Sequence, residues 1–211
     1  MLRAFLVSLI LGFAVLGASA AEACRKANMP RGADRTIPTS NINQNLFSKA
    51  VLVEVNYQRC RAGLRPLRNN GNLVKAASGH SAWMAKARNL SHKSTRRGHR
   101  TVADRISRNY GNFSRASENI ATVQRYWLDN GRTFYTKNLA ECHFENGRRD
   151  RIPPHSYRSL AQWTVKLWVD SPSHRRNIMD RDVKHIGTAV QFDPRHKNCG
   201  AYYATQNFAS K

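Results

Sequence analysis

The chain has 211 residues, 41% of them hydrophobic, with 35 Lys and Arg against 13 Asp and Glu and a formal net charge of +22. Beyond the first twenty residues no stretch is long and apolar enough to cross a bilayer, which argues against an integral membrane protein. The four cysteines, Cys24, Cys60, Cys142 and Cys199, contain no C-x-x-C pair, which argues against a zinc site built from thiolates.

The first element is "MLRAFLVSLILGFAVLGASA". One positive charge, Arg3, precedes an apolar run from Ala4 to Gly17 that closes on the small-residue pattern "ASA". This reads as a secretory signal peptide over residues 1–20, cleaved near Ala20; a signal anchor is disfavoured because the run is too short to span comfortably. "AEAC" around Cys24 lacks the apolar residue of a bacterial lipoprotein site. The expected product is a secreted or periplasmic protein of about 190 residues, enough for one compact domain with its own core. In such an oxidising compartment four cysteines imply two disulfides. Three pairings are open, one of which joins Cys24 to Cys60 and Cys142 to Cys199.

Residues 21–38 are polar, with Pro30, Gly32 and Pro38, and read as an irregular N-terminal arm before a domain over 39–211. Thr39 or Ser40 is then expected to cap a helix running to about Arg61. Its apolar face would carry Ile42, Leu46, Ala50, Val53, Tyr57 and Cys60, with Gly63 as the stop. "NNGNLVKAASGHSAWMAKARNL" predicts a second helix with Leu73, Ala76, Ala77, His80, Met84 and Ala87 on one side. "TVADRISRNYG" predicts a third, short helix bearing Val102 and Ile106 and ending at Gly111. "ENIATVQRYW" (118–127) fits a strand or a short helix. A basic insertion follows at about 122–158, too long for a structureless connection and therefore expected to make contacts of its own. Residues 160–169 predict a fourth helix with a stripe of Leu160, Trp163, Leu167 and Trp168. "HIGTAVQF" (185–192) and "GAYYATQNFA" (200–209) predict a closing hairpin of strands, being rich in β-branched and aromatic residues around a turn.

Eight histidines invite metal or catalytic chemistry, yet there is no H-E-x-x-H, no pair of His at i, i+4 on a helix and no G-x-S-x-G elbow. His80 lies on an apolar helical face and reads as a hydrogen-bonded core residue. His99, His143, His155, His185 and His196 stand beside basic or turn residues and read as solvated. Three residues remain as candidates: His92 in "RNLSHKS", Glu118 at the start of "ENIA", and His174 in "SPSHRRNIM" just after Pro172. Imidazoles and a carboxylate can together hold a divalent ion or act as base and polariser, provided the fold gathers them.

The ordered set "NYQRCRAGLRPLRNNGNLVKAASGHSAWMAKARNLSHKSTRRG", "ADRISRNYG", "SENIA", "LWVDSPSHRRNIM", "HIGTAV" and "YYATQNFA" resembles the bacterial branch of the CAP superfamily. That superfamily comprises cysteine-rich secretory proteins, venom antigens and plant pathogenesis-related proteins, whose shared unit is the SCP domain. The resemblance runs from about residue 43 to 209, interrupted by the insertion. It implies an α+β fold, a three-layer α-β-α sandwich on a small, mainly antiparallel sheet, with a cleft lined in many relatives by two histidines and two glutamates able to bind a divalent cation. His92, Glu118 and His174 match three of those four positions. The second glutamate is missing, with Ser171 or Asp170 nearest its place, so the resemblance implies no cofactor or a weakly bound divalent cation.

Three functions are compatible with these residues. The first is a non-enzymatic binding module for a lipidic or cell-envelope ligand; it suits the basic surface and the lack of a nucleophile motif. The second is a metal-assisted hydrolase in which His92 and His174 hold the cation and Glu118 is the general base. The third is a charge-driven binder of anionic polymers. The expected partner is an anionic membrane or envelope surface, with a lipid as ligand. An exported chain makes nucleic acid the weaker partner, although the charge could also serve solubility alone. A monomer is expected.

Overall fold

The structure, a computed structural model, describes residues 24–211. The expected signal peptide over 1–20 and its expected cleavage near Ala20 lie outside the described residues. In chain order the elements are helix α1 (Gln44–Arg61), strand β1 (Arg68–Asn69), helices α2 (Gly71–Ala87) and α3 (Val102–Tyr110), strands β2 (Arg115–Gln124), β3 (Phe134–Asn138) and β4 (His143–Asn146), helices α4 (Tyr157–Asp170) and α5 (Pro172–Ile178), and strands β5 (His185–Asp193) and β6 (Ala201–Ser210).

Four strands form the central sheet in the order β1-β5-β6-β2, with β1 parallel to β5 and the other two pairings antiparallel. The segment that fitted either strand or helix is therefore a strand, β2, and it forms one edge. β6 lies in the middle, and all ten of its residues are buried. A strand buried on both faces needs a layer on each side. Tyr202, Ala204 and Phe208 pack into the larger core with α1 and α4. Tyr203 packs with Met84 of α2, and Ala209 packs with Leu73 of α2 and Ile106 of α3. The two-residue period of the strand thus sorts its side chains between the layers of an α-β-α sandwich.

Helix starts follow local chemistry. Asn43, rather than Thr39 or Ser40, caps α1, its Oδ1 accepting from the Leu46 N–H at 2.9 Å. Asn70 caps α2 in the same way, and Thr101 with Asp104 makes a reciprocal capping box on α3. Pro172 ends α4 and also begins α5, because a proline fits the first helical position, where no intrahelical N–H bond is needed. α2 approaches β5 so closely that a Cβ on Gly187 would stand 2.3 Å from the Val74 nitrogen, so only glycine fits there.

Two predicted stripes are rotated. On α1 the core face is Leu46, Phe47, Ala50, Val51 and Val55, which keeps the predicted Leu46 and Ala50, while Val53 and Tyr57 are half-buried and Cys60 is exposed. The N-terminal arm uses that second face: Cys24 bonds to Cys60, and Lys26 pairs with Glu54 at 2.6 Å and lies over the Tyr57 ring. On α4 the buried residues are Leu160, Ala161, Thr164, Val165 and Trp168, whereas Trp163 and Leu167 are half-buried. Trp163 turns instead to meet Trp127, with ring centroids 5.9 Å apart. Ala87, expected on the inner face of α2, is exposed at the helix end.

The insertion has its own hairpin, β3 with β4, over a small cluster of Tyr126, Leu128 and Phe144. The second disulfide, Cys142–Cys199, fastens it to the turn between β5 and β6. Of the histidines read as solvated, His155 is 2% exposed, its ring lying 6.1 Å from that of Trp127 and bonding through Nδ1 to Ser159 Oγ at 2.9 Å.

Candidate functional site

Glu118 opens onto the α2 side of β2, and its side chain is fully buried. A lone carboxylate there would be expensive, since ionised groups leave water only when paired and hydrogen-bonded. Arg105 of α3 supplies the partner: its Nη2 donates to both Glu118 oxygens, at 2.9 and 2.8 Å. Asn207 of β6, with its amide oriented to satisfy both neighbours, donates to Glu118 Oε2 at 3.1 Å and accepts from the Ala77 N–H at 3.2 Å.

His92 donates to the same carboxylate, with Nδ1 2.9 Å from Oε1. Because an ionised carboxylate only accepts, Nδ1 carries the proton in the neutral ring and Nε2 is left with its lone pair. The His92 side chain is 48% exposed. The loop bearing it is held by buried groups. Arg105 Nη2 donates to the His92 carbonyl, and Nη1 to the carbonyls of His99 and Arg100. His80 Nε2 donates to the Ser91 carbonyl at 2.9 Å, and its ring stacks on Trp83. Burial lowers the His80 pKa to about 4; the Glu118 charge only partly offsets that. His80 is therefore neutral at physiological pH, 3.7 Å from Glu118 Oε1.

His174 arrives from the other direction. α5 packs against the edge strand β2, and Asn119 Nδ2 donates to the His174 carbonyl at 3.2 Å. Asn177, one turn on, donates to the Glu118 carbonyl and to Asn119 Oδ1. The His174 ring is half-buried; burial, and then the nearby His92, lower its pKa. Its ring makes no hydrogen bond among the described residues. His92 and Glu118 are thus in direct contact, whereas His174 is tied to this region through its backbone carbonyl, on Asn119, and its ring bonds to neither of them.

The positions nearest the missing glutamate do not reach this group. Ser171 Oγ bonds to Ser173 Oγ at 3.2 Å, and Asp170 is exposed and paired with Lys166 at 2.5 Å. Both Glu118 oxygens are already engaged, with a guanidinium charge against them. Among the described residues no three His, Cys, Asp or Glu side chains are grouped to hold a metal. The residues present do not fit a resident divalent cation. Nor, among them, does a serine, threonine or cysteine hydrogen-bond to His92 or His174 in the manner of an activated nucleophile.

Sequence reasoning missed Arg105 and Asn207. Arg105 had one signal: a charged residue beside Ile106 on the inward face of a short amphipathic helix. Asn207 had a weaker one, a place in the polar run Thr205-Gln206-Asn207 in the middle of a strand that is buried throughout.

Comparison with known proteins gives the family and the fold. A family model described as CAP, the cysteine-rich secretory protein family, matches residues 52–208. No curated protein matches the chain. Among solved structures, an extracellular protein containing an SCP domain from Bacillus anthracis is similar over 80% of this chain and 41% of its own, at 23% identity and a TM-score of 0.53. The chain therefore spans about two fifths of that protein's length. An outer surface protein from Borrelia burgdorferi is similar over 77% of this chain and 91% of its own, at 16% identity and a TM-score of 0.50.

Proposed function

The chain belongs to the CAP, cysteine-rich secretory protein, family, and from that premise we propose that it is an exported, non-enzymatic binding module for an anionic or lipidic ligand of a cell envelope. Its ligand cleft is lined by His92 and His174 over a floor of Glu118. The observation that carries this reading is the Arg105–Glu118 pair. A carboxylate held by a buried guanidinium is a poor general base and a poor metal ligand, which disfavours the hydrolase reading, and it gives the cleft a fixed, electrically balanced floor. Above it, the exposed His92 edge and the half-buried His174 offer hydrogen bonds to a ligand. The net charge of +22 would draw the protein to anionic surfaces before the cleft engages.

Two features support export. The two disulfides suit an oxidising compartment. The structural relatives are described as extracellular and outer-surface proteins.

The test offers the mature protein, in parallel, anionic and neutral lipid vesicles and a library of fluorogenic peptides, with and without a chelator. Binding to lipid without peptide turnover is expected. Turnover abolished by the chelator would overturn the reading in favour of metal-assisted hydrolysis.

A further inference from the structure

Between α4 and the insertion lies a cavity of about 500 Å³, within the range of small-ligand sites. It shares no lining residue with the His92–Glu118–His174 group, so its chemistry is independent of the function proposed for that group. Trp127 and Trp163 form one wall, and Arg132, Arg151 and Gln162 also line it. Trp127 is 46% exposed, a large apolar surface to leave in water. The two indoles meet edge to face at 61°, so they make a corner rather than a parallel slot. Arg132 and Arg151 are exposed and have no acidic partner among the described residues. The Gln162 side chain is likewise exposed and makes no hydrogen bond among them.

We propose that this cavity binds an acidic sugar unit of a glycan. An aromatic corner suits the apolar face of a pyranose ring, the Gln162 amide suits its hydroxyls, and Arg132 and Arg151 suit its carboxylate by charge-assisted hydrogen bonding. An alkyl chain would leave both guanidiniums and the amide unused. A flat nucleobase is better served by a parallel slot than by a corner.

The test titrates the mature protein with trigalacturonic acid, neutral galactotriose and adenosine monophosphate, following tryptophan fluorescence and calorimetric heat. Trigalacturonic acid should quench the fluorescence and bind at least about ten-fold more tightly than either of the others. Trp127→Ala, and separately Arg132→Gln with Arg151→Gln, should each weaken it by about ten-fold or more. Arg148→Gln with Arg149→Gln removes the same charge outside the cavity and should change it by less than about three-fold. The proposal is overturned by an absence of trigalacturonate binding, by equal binding of the neutral sugar, by tighter binding of the nucleotide, or by a control variant that loses as much as the cavity variants.

Discussion

Arg105 places one guanidinium nitrogen against both oxygens of Glu118, at 2.9 and 2.8 Å, with the two side chains 2% and 0% exposed. The same arginine binds three carbonyls of the loop that carries His92, so one buried charge pair holds both Glu118 and that loop in place. Removing one member of such a pair leaves an unpaired buried charge. Arg105→Leu should therefore destabilise the fold by about 3–5 kcal/mol in denaturant titrations. Adding Glu118→Gln to it should recover a large part of that loss, because the orphaned charge goes too. A double variant as unstable as the sum of its singles would mean that the two residues act independently.

Two buried histidines give stability a defined pH dependence. His80 and His155 both have pKa values lowered to about 4, mainly by burial. The unfolded chain binds these protons near pH 6.5, whereas the folded chain resists them until about pH 4. Stability should thus be full above pH 6.5 and fall as the pH drops toward 4, by up to about 1.4 kcal/mol per pH unit for each histidine. His155→Gln should flatten this slope. An unchanged slope in that variant would show that His155 does not contribute to the loss of stability in acid.

The disulfide Cys142–Cys199 closes a sequence separation of 57 residues and pins the insertion to the β5–β6 turn. Replacing both cysteines with serine should cost about 4 kcal/mol on the loop-closure estimate. Limited trypsin digestion should then cut first in the insertion, after Arg132 or Arg148. Early cleavage in α1 or α2 instead would show that the bond holds the whole domain rather than this segment.

Much of the architecture was legible in the sequence, because it rests on local signals. The alternation in "AYYATQNFA", the spacing of Leu73, Ala77, His80 and Met84, and the stop at Gly111 each report one element from its own residues. The faces of α1 and α4 were legible only in part: Leu46, Ala50, Leu160 and Trp168 are core residues as expected, but the rest of each stripe is not. Val53, Tyr57 and Trp163 fit a core stripe by spacing, but each meets a segment that only the tertiary fold brings near: the arm at Cys24 for α1, Trp127 for α4. At the candidate site the same division holds. His92, Glu118 and His174 could be named by resemblance, whereas Arg105 showed in the sequence only as a charge on an inward helical face, and its partner Glu118 is identified only once α3 packs beside β2. His155 misled because in sequence it stands among turn residues, Pro153, Pro154 and Ser156, whereas in space its ring is buried near Trp127 and bonded to Ser159.

A binding module drawn by charge to an anionic envelope surface should hold anionic vesicles in a salt-dependent way, and a vesicle titration across ionic strength measures this. Exposed charges are screened over about 10 Å at 0.1 M salt and about 3 Å at 1 M. Binding to anionic vesicles should therefore be clear at low salt and fall steeply as salt rises, with neutral vesicles bound far less. Arg148→Gln with Arg149→Gln, two exposed positions of the insertion, should weaken the salt-sensitive part and cost no more than about 1 kcal/mol of stability, since Arg149 makes only an exposed ion pair with Glu145 and a contact with the Tyr135 ring. A salt-resistant remainder, lost on His174→Ala, would mark a ligand held in the cleft. Equal binding to anionic and neutral vesicles at every salt concentration, or no binding to either, would contradict the claim.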